Sequence, residues 1–107
     1  NRHQDYMGKG SALSYMDHET DLKIIKNMGC NFLRLAHYPQ DPYVLKRANE
    51  LGLLLWEEIP LVNLMNINDE FLSNCSNMIK EMIRQHYNNP SVIMWGSMNE
   101  IFLVDMV

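Results

Sequence analysis

The chain has 107 residues, 47% of them hydrophobic, and thirteen Asp and Glu against nine Lys and Arg give it a net charge of -4. Such a chain suits one globular unit, or part of one, with a core of its own rather than a disordered segment. The acidic balance, without a basic run or stripe, argues against nucleic acid as a partner, and no apolar run approaches the roughly 18 residues of a membrane span.

The opening Asn1-Arg2-His3-Gln4-Asp5 has nothing of a signal peptide. The segment is expected to be soluble, from a cytoplasmic or a periplasmic parent, and need not begin where the native protein begins. Gly8-Lys9-Gly10-Ser11 lacks a preceding strand and reads as a flexible loop rather than a phosphate-binding turn. Ser14 and Asp17 resemble a capping box, Leu22, Ile25 and Met28 share one helical face, and Gly29 is placed to end a first helix predicted over 15–28. A short strand follows at 31–35, and pairing stops by Pro39. Asp41 as cap and Pro42 at the first helical position open a second helix that closes at Leu51-Gly52. Leu53-Leu54-Leu55-Trp56 is a buried strand ending at Glu57-Glu58, and 59–67 is a loop.

Asn68 then caps the longest helix, with Phe71, Leu72, Cys75, Met78, Ile79, Met82, Ile83 and His86 on one face. Asn88-Asn89-Pro90 ends it. The apolar run Val92-Ile93-Met94-Trp95 breaks at Gly96 and delivers Asn99 and Glu100 side by side. Taken alone, that pair is equally a polar loop or the cap of a helix starting near Ile101. Cys30 and Cys75 lack CxxC spacing and read as small core residues, not as a disulfide or a zinc site.

Helices alternate with nearly all-apolar strands, which predicts an α/β layout on a parallel sheet. A doubly wound nucleotide fold would carry a glycine-rich turn after a strand, and neither a G-x-G-x-x-G nor a P-loop pattern occurs. Three successive strands end instead in polar groups: Arg34 and His37, then Glu57 and Glu58, then Asn99 and Glu100. Polar groups at the carboxyl ends of consecutive parallel strands are how a (β/α) barrel builds its active site.

Four stretches together resemble glycoside hydrolase family 2: Asn1-Arg2-His3-Gln4-Asp5, Arg34-Leu35-Ala36-His37-Tyr38-Pro39, Trp56-Glu57-Glu58, and Asn89-Pro90 through Trp95 leading to Asn99-Glu100. That family includes β-galactosidases, β-glucuronidases and β-mannosidases. The resemblance implies a partial (β/α)8 TIM barrel running from the end of strand 1 to the end of strand 4. Residues 1–107 would then be a single incomplete domain of a larger enzyme. A whole barrel needs about 250 residues, so open strand edges should make the isolated segment self-associate.

The implied activity is that of a retaining exo-β-glycosidase acting on β-galactosides or β-glucuronides by double displacement. Retention needs two carboxyl groups about 5 to 5.5 Å apart. By the resemblance Glu100 is the general acid and later base, while the nucleophile lies outside this chain. As the acid it must hold its proton near neutral pH, which burial and a neighbouring carboxylate can arrange. Asn99 would bond the sugar 2-hydroxyl, and His3, His37 and Asp5 would contact substrate. Arg34 would point toward the nucleophile, although a structural salt bridge has the same sequence signature. Glu58 would support the rim rather than act as a second catalyst, and Glu57 is expected to be buried and paired. Trp56 and Trp95 are core residues or sugar platforms, and His18 and His86, on helices, receive no catalytic role. Some β-galactosidases of the family hold magnesium through a Glu and a His shortly after the third strand. The matching Pro60-Leu61-Val62-Asn63-Leu64 has neither, so no metal or cofactor is predicted. The alternatives are a non-catalytic carbohydrate-binding or interaction fragment of such an enzyme, and a metal-dependent amidohydrolase, whose His-x-His or carbamylated lysine is not found.

Overall fold

The computed structural model of the chain describes residues 6–65 and 67–103. Its helices start and stop where the capping chemistry predicts. The Ser14 hydroxyl accepts from the Asp17 amide and the Ser14 amide donates to the Asp17 carboxylate at 2.8 Å, which opens α1 (Tyr15–Asn27). Gly29 lies just beyond its end at φ 86°, a left-handed conformation that glycine adopts without steric cost. After β1 (Phe32–Leu35), Asp41 accepts from the Tyr43 amide at 2.8 Å and opens α2 (Pro42–Leu51), which left-handed Gly52 closes. Next come β2 (Leu54–Glu58), β3 (Val62–Met65) and α3 (Asp69–His86), whose cap Asn68 accepts from the Phe71 amide at 2.8 Å. β4 (Val92–Gly96) and β5 (Asn99–Leu103) complete the described elements.

Three differences from expectation bear on the site. β2 extends through Glu57 and Glu58, which therefore lie inside the strand rather than past its end. The 59–67 stretch contains a strand, β3. Asn99 and Glu100 begin a strand, β5, and not a loop or a helix near Ile101. Both added strands are short, and what makes them strands is their mutual pairing, parallel, with Val62 opposite Asn99 and Leu64 opposite Phe102. Val62-Asn63-Leu64-Met65 and Asn99-Glu100-Ile101-Phe102-Leu103 are short and do not alternate regularly, so without the partner each carries little periodic signal.

β1, β2 and β4 form a parallel sheet in that order. Register partners share a face, so Leu33, Leu35, Leu55 and Val92 lie on one side, packed with Leu22, Val44, Leu45, Ala48 and Leu53 from α1, α2 and the turn after α2. Farther along the same side, Ile59 and Trp95 pack with Cys75, Met78, Ile79 and Met82 of α3. Phe71 joins this stripe, whereas Leu72, one position away from it, is exposed. Cys75 is buried as expected, while Cys30 is only half-buried.

On the other face stand Phe32, Arg34, Leu54, Trp56, Glu58, Met94 and Gly96. No helix covers that face among the described residues. Phe32 is 39% exposed, Leu54 43% and Met94 45%.

Polar ties lock the helices in place. Glu19 receives Arg47 at 2.6 and 2.9 Å and the Tyr43 hydroxyl at 3.1 Å, joining α1 to α2. Lys9 reaches both oxygens of Asp17 at 2.8 and 2.7 Å, so the glycine-flanked segment expected to be a flexible loop is pinned to the start of α1. Asn49 donates to the Asn89 side chain at 3.2 Å and accepts from the Ser91 amide at 3.0 Å, fixing the approach to β4.

Candidate active site

The strand alternation that splits the sheet into two faces also splits the Glu57-Glu58 pair. Glu57 points to the helix side, where His86 Nδ1 lies 2.8 and 3.0 Å from its two oxygens. Burial pushes the Glu57 carboxyl up from its ordinary value, against the opposing pull of His86. Glu57 is thus buried and paired, which explains why His86 closes the apolar stripe of α3.

Glu58 points to the opposite face and is also wholly buried. Arg34 donates to it through Nε at 2.9 Å and Nη2 at 3.0 Å, a two-point fork. His37 Nδ1 lies 2.7 Å from the same carboxylate, whose oxygens act as acceptors, so Nδ1 is the ring nitrogen that donates. The same Arg34 Nη2 donates to Asn99 Oδ1 at 2.7 Å. One guanidinium thus ties the end of β1, the end of β2 and the start of β5 together, and its Cζ sits 5.2 Å from the centroid of Trp56 beneath it. Glu58 is therefore a buried hub that joins Arg34 and His37.

Gly96 makes this arrangement possible. A Cβ there would sit 2.8 Å from the Glu58 Cβ and 3.0 Å from Trp56 Cε2, so any side chain would displace the indole and the carboxylate. Trp56 Nε1 is buried without a hydrogen-bond partner among the described residues. Trp95, on the other face, is core. The peptide between Ala36 and His37 is cis.

Of the residues singled out in the sequence, Arg34, His37, Glu58 and Asn99 come together. Glu100 follows Asn99 directly on β5, is exposed, and its side chain makes no hydrogen bond or ion pair among the described residues. The burial expected of an acid is not found around it within this chain. His3 and Asp5 lie outside the described residues. His18 is buried between α1 and α2, 3.9 Å from Asp41 and stacked on Tyr43. The linking role of Arg34 and the clearance at Gly96 were missed by sequence reasoning. The one available signal was that two adjacent carboxylates in an apolar strand must each find a partner on an opposite face.

Among the described residues, no group of three or more His, Cys, Asp or Glu side chains gathers as a metal-ligand set. No described helix is long and apolar enough to cross a membrane.

The family described as glycosyl hydrolases family 2, TIM barrel domain, matches residues 1–104. A putative β-glucuronidase of Formosa agariphila is 48% identical over 101 residues, 94% of this chain and 12% of that protein. A β-galactosidase of Thermoanaerobacterium thermosulfurigenes is 40% identical over 97 residues, 90% of this chain and 13% of that protein. The crystal structure of a Bacteroides uniformis β-glucuronidase matches with a TM-score of 0.85 at 48% identity, over 94% of this chain and 12% of that one. The chain thus spans about an eighth of the length of these relatives. It belongs to glycosyl hydrolase family 2, as a partial α/β segment of that family's TIM barrel domain.

Proposed function

We propose that residues 1–107 form the stretch from the end of strand 1 to the end of strand 4 of the catalytic barrel of a retaining exo-β-glycosidase. The observation that carries this reading is the Arg34 fork, which draws Asn99, and with it the adjacent Glu100, to the same sheet end as His37 and Glu58. Its substrates are β-glucuronides or β-galactosides, the sugars named for the relatives.

The chemistry follows from the donor and acceptor pattern. Arg34 has only donors, so Asn99 must turn Oδ1 toward it, which leaves the Asn99 amino group to donate to the sugar 2-hydroxyl. With His37 Nδ1 committed to Glu58, Nε2 is the ring nitrogen left for a ring hydroxyl. Glu100 protonates the glycosidic oxygen as the anomeric carbon gains oxocarbenium character, while a carboxylate from a later strand attacks the opposite face. Glu100 then takes a proton from a water that attacks the anomeric carbon of the glycosyl-enzyme, which breaks the bond to the nucleophile carboxylate and frees the sugar. His3 and Asp5 add substrate contacts. No cofactor enters these steps.

In the parent enzyme, Glu100→Gln should abolish most hydrolysis of alkyl glycosides. Aryl glycosides with strongly acidic leaving groups should be spared in the glycosylation step, because they need little protonation. Equal losses for good and poor leaving groups would count against the acid role. The same parent enzyme assayed on aryl β-glucuronide and aryl β-galactoside separates the two sugars.

The isolated segment should self-associate. Its sheet has unpaired outer edges on β1 and β4 among the described residues, and the face carrying Phe32, Leu54 and Met94 is exposed. A monomer by light scattering at micromolar concentration would contradict this.

A further inference from the structure

The pairing of β2 with β4 does not stop at the end of the sheet. The Ile59 amide still donates to the Gly96 carbonyl at 3.2 Å, and the Asn99 amide donates to the Leu61 carbonyl at 2.8 Å, where the pairing resumes as β3 with β5. In this outer ladder Val62 faces Asn99 and Leu64 faces Phe102. Between those pairs β3 offers one residue, Asn63, and β5 offers two, Glu100 and Ile101. The irregularity is therefore a bulge with Asn63 opposite Glu100 and Ile101.

Two non-glycine residues among those described have positive φ: Asn63 at 67° and Glu100 at 46°. They are the two that face each other across this bulge. Asparagine tolerates the left-handed region better than most residues, whereas glutamate does not enter it readily, so the ladder is what holds Glu100 there. Both side chains are exposed. In an exo-acting site the terminal sugar lies deepest, against the Arg34, His37 and Asn99 cluster, and the acid marks the boundary with the leaving group. A residue facing the acid from a ladder that runs outward beyond the sheet is placed on the leaving-group side.

We propose that Asn63 is a specificity-determining residue for the aglycone: its carboxamide, set opposite Glu100 by the β3–β5 bulge, hydrogen-bonds hydroxyl groups of the leaving group. This rests on reading Glu100 as the general acid. Two variants of the parent enzyme test it. Asn63→Gly keeps the left-handed backbone accessible and removes the carboxamide; Asn63→Asp keeps the shape and adds a negative charge. Substrates are glycosides of one sugar carrying either a hydroxyl-bearing aglycone or an aryl group with no hydrogen-bonding substituent.

Asn63→Gly should lower kcat/KM for the hydroxyl-bearing substrate about fivefold to tenfold, the worth of one neutral hydrogen bond. The aryl substrate should stay within about twofold, and inhibition by the free monosaccharide should be unchanged. Asn63→Asp should move the basic limb of the kcat/KM profile upward, because a like charge beside the acid resists loss of its proton. Equal losses on both aglycones, or none on either, would overturn the aglycone role, and an unmoved basic limb would overturn the juxtaposition with the acid. A fully active Glu100→Gln enzyme would refute the acid reading and the placement of Asn63 at the leaving group with it; an inactive Glu100→Gln enzyme beside equal losses on both aglycones for Asn63→Gly would overturn the aglycone role alone.

Discussion

Replacing Glu58 by glutamine keeps the shape of the side chain and removes one acceptor. Three donors converge on its two oxygens: Arg34 Nε at 2.9 Å, Arg34 Nη2 at 3.0 Å and His37 Nδ1 at 2.7 Å. If the amino group of glutamine takes the Oε1 position, Arg34 Nη2 and His37 both face a donor; if it takes the Oε2 position, Arg34 Nε does. No orientation satisfies all three. A hydrogen bond to a charged group contributes about 1.5–3 kcal/mol, and breaking a buried ion pair from one side costs about 3–5 kcal/mol. The Arg34 side chain is 39% exposed, so water compensates part of the loss and the low end applies, about 3 kcal/mol. Denaturant unfolding of the parent enzyme, followed by tryptophan fluorescence, measures it. Activity should fall by about tenfold or more in kcat/KM, because a displaced Arg34 no longer orients Asn99. The double change Arg34→Met with Glu58→Met should cost less than the sum of the singles. A Glu58→Gln enzyme within about 0.5 kcal/mol of the parent, the range of an ordinary surface substitution, would refute the hub.

Gly96→Ala should destabilise by about 1–3 kcal/mol, since the new methyl meets the Glu58 Cβ at 2.8 Å and the Trp56 ring at 3.0 Å. An unchanged unfolding midpoint would contradict the close packing there. A second expectation concerns acid. Lys9 beside Asp17 and Arg47 beside Glu19 hold both carboxyls down to about 2. In the unfolded chain these groups titrate near about 4. The stabilisation from these pairs is therefore fully present above that pH and lost as the pH falls toward 2. Lys9→Met should flatten the Asp17 share of this acid sensitivity in far-UV circular dichroism; an identical acid profile would remove the pair from the account.

What could be read from sequence was what local chemistry decides. Ser14 with Asp17, Asp41 with Pro42, Gly52 and Asn68 each announce a helix end through their own hydrogen-bonding or backbone needs, and each is found in that role. The largely apolar runs ending at Leu35, Trp56 and Trp95 announce strands through their short, buried pattern. The rest depends on partners far away in the chain. Val62 becomes part of a strand because Asn99 lies beside it, and Asn99 because Val62 does. Which face each of Glu57 and Glu58 takes was hidden because Leu53-Leu54-Leu55-Trp56 is apolar at every position and shows no alternation. Only the placement of His86 on α3 and Arg34 on β1 separates the two carboxylates.

The motif resemblance supplied the family before the fold did, through residues that the structure shows to be mutually bonded. Arg34, His37, Glu58 and Asn99 come from three of the four stretches that carry it. Its first stretch, residues 1–5, lies outside the described residues.

Chemical rescue separates the proposed acid and base role of Glu100 from that of a nucleophile. In the parent enzyme, Glu100→Ala should form the glycosyl-enzyme from a substrate with a good leaving group but hydrolyse it slowly, for want of a base. Azide needs no base and can attack from the side that Glu100 vacated. Azide should restore turnover, and NMR of the product should show a β-glycosyl azide. An α-glycosyl azide would make Glu100 the nucleophile, and a variant as active as the parent without azide would remove it from the chemistry.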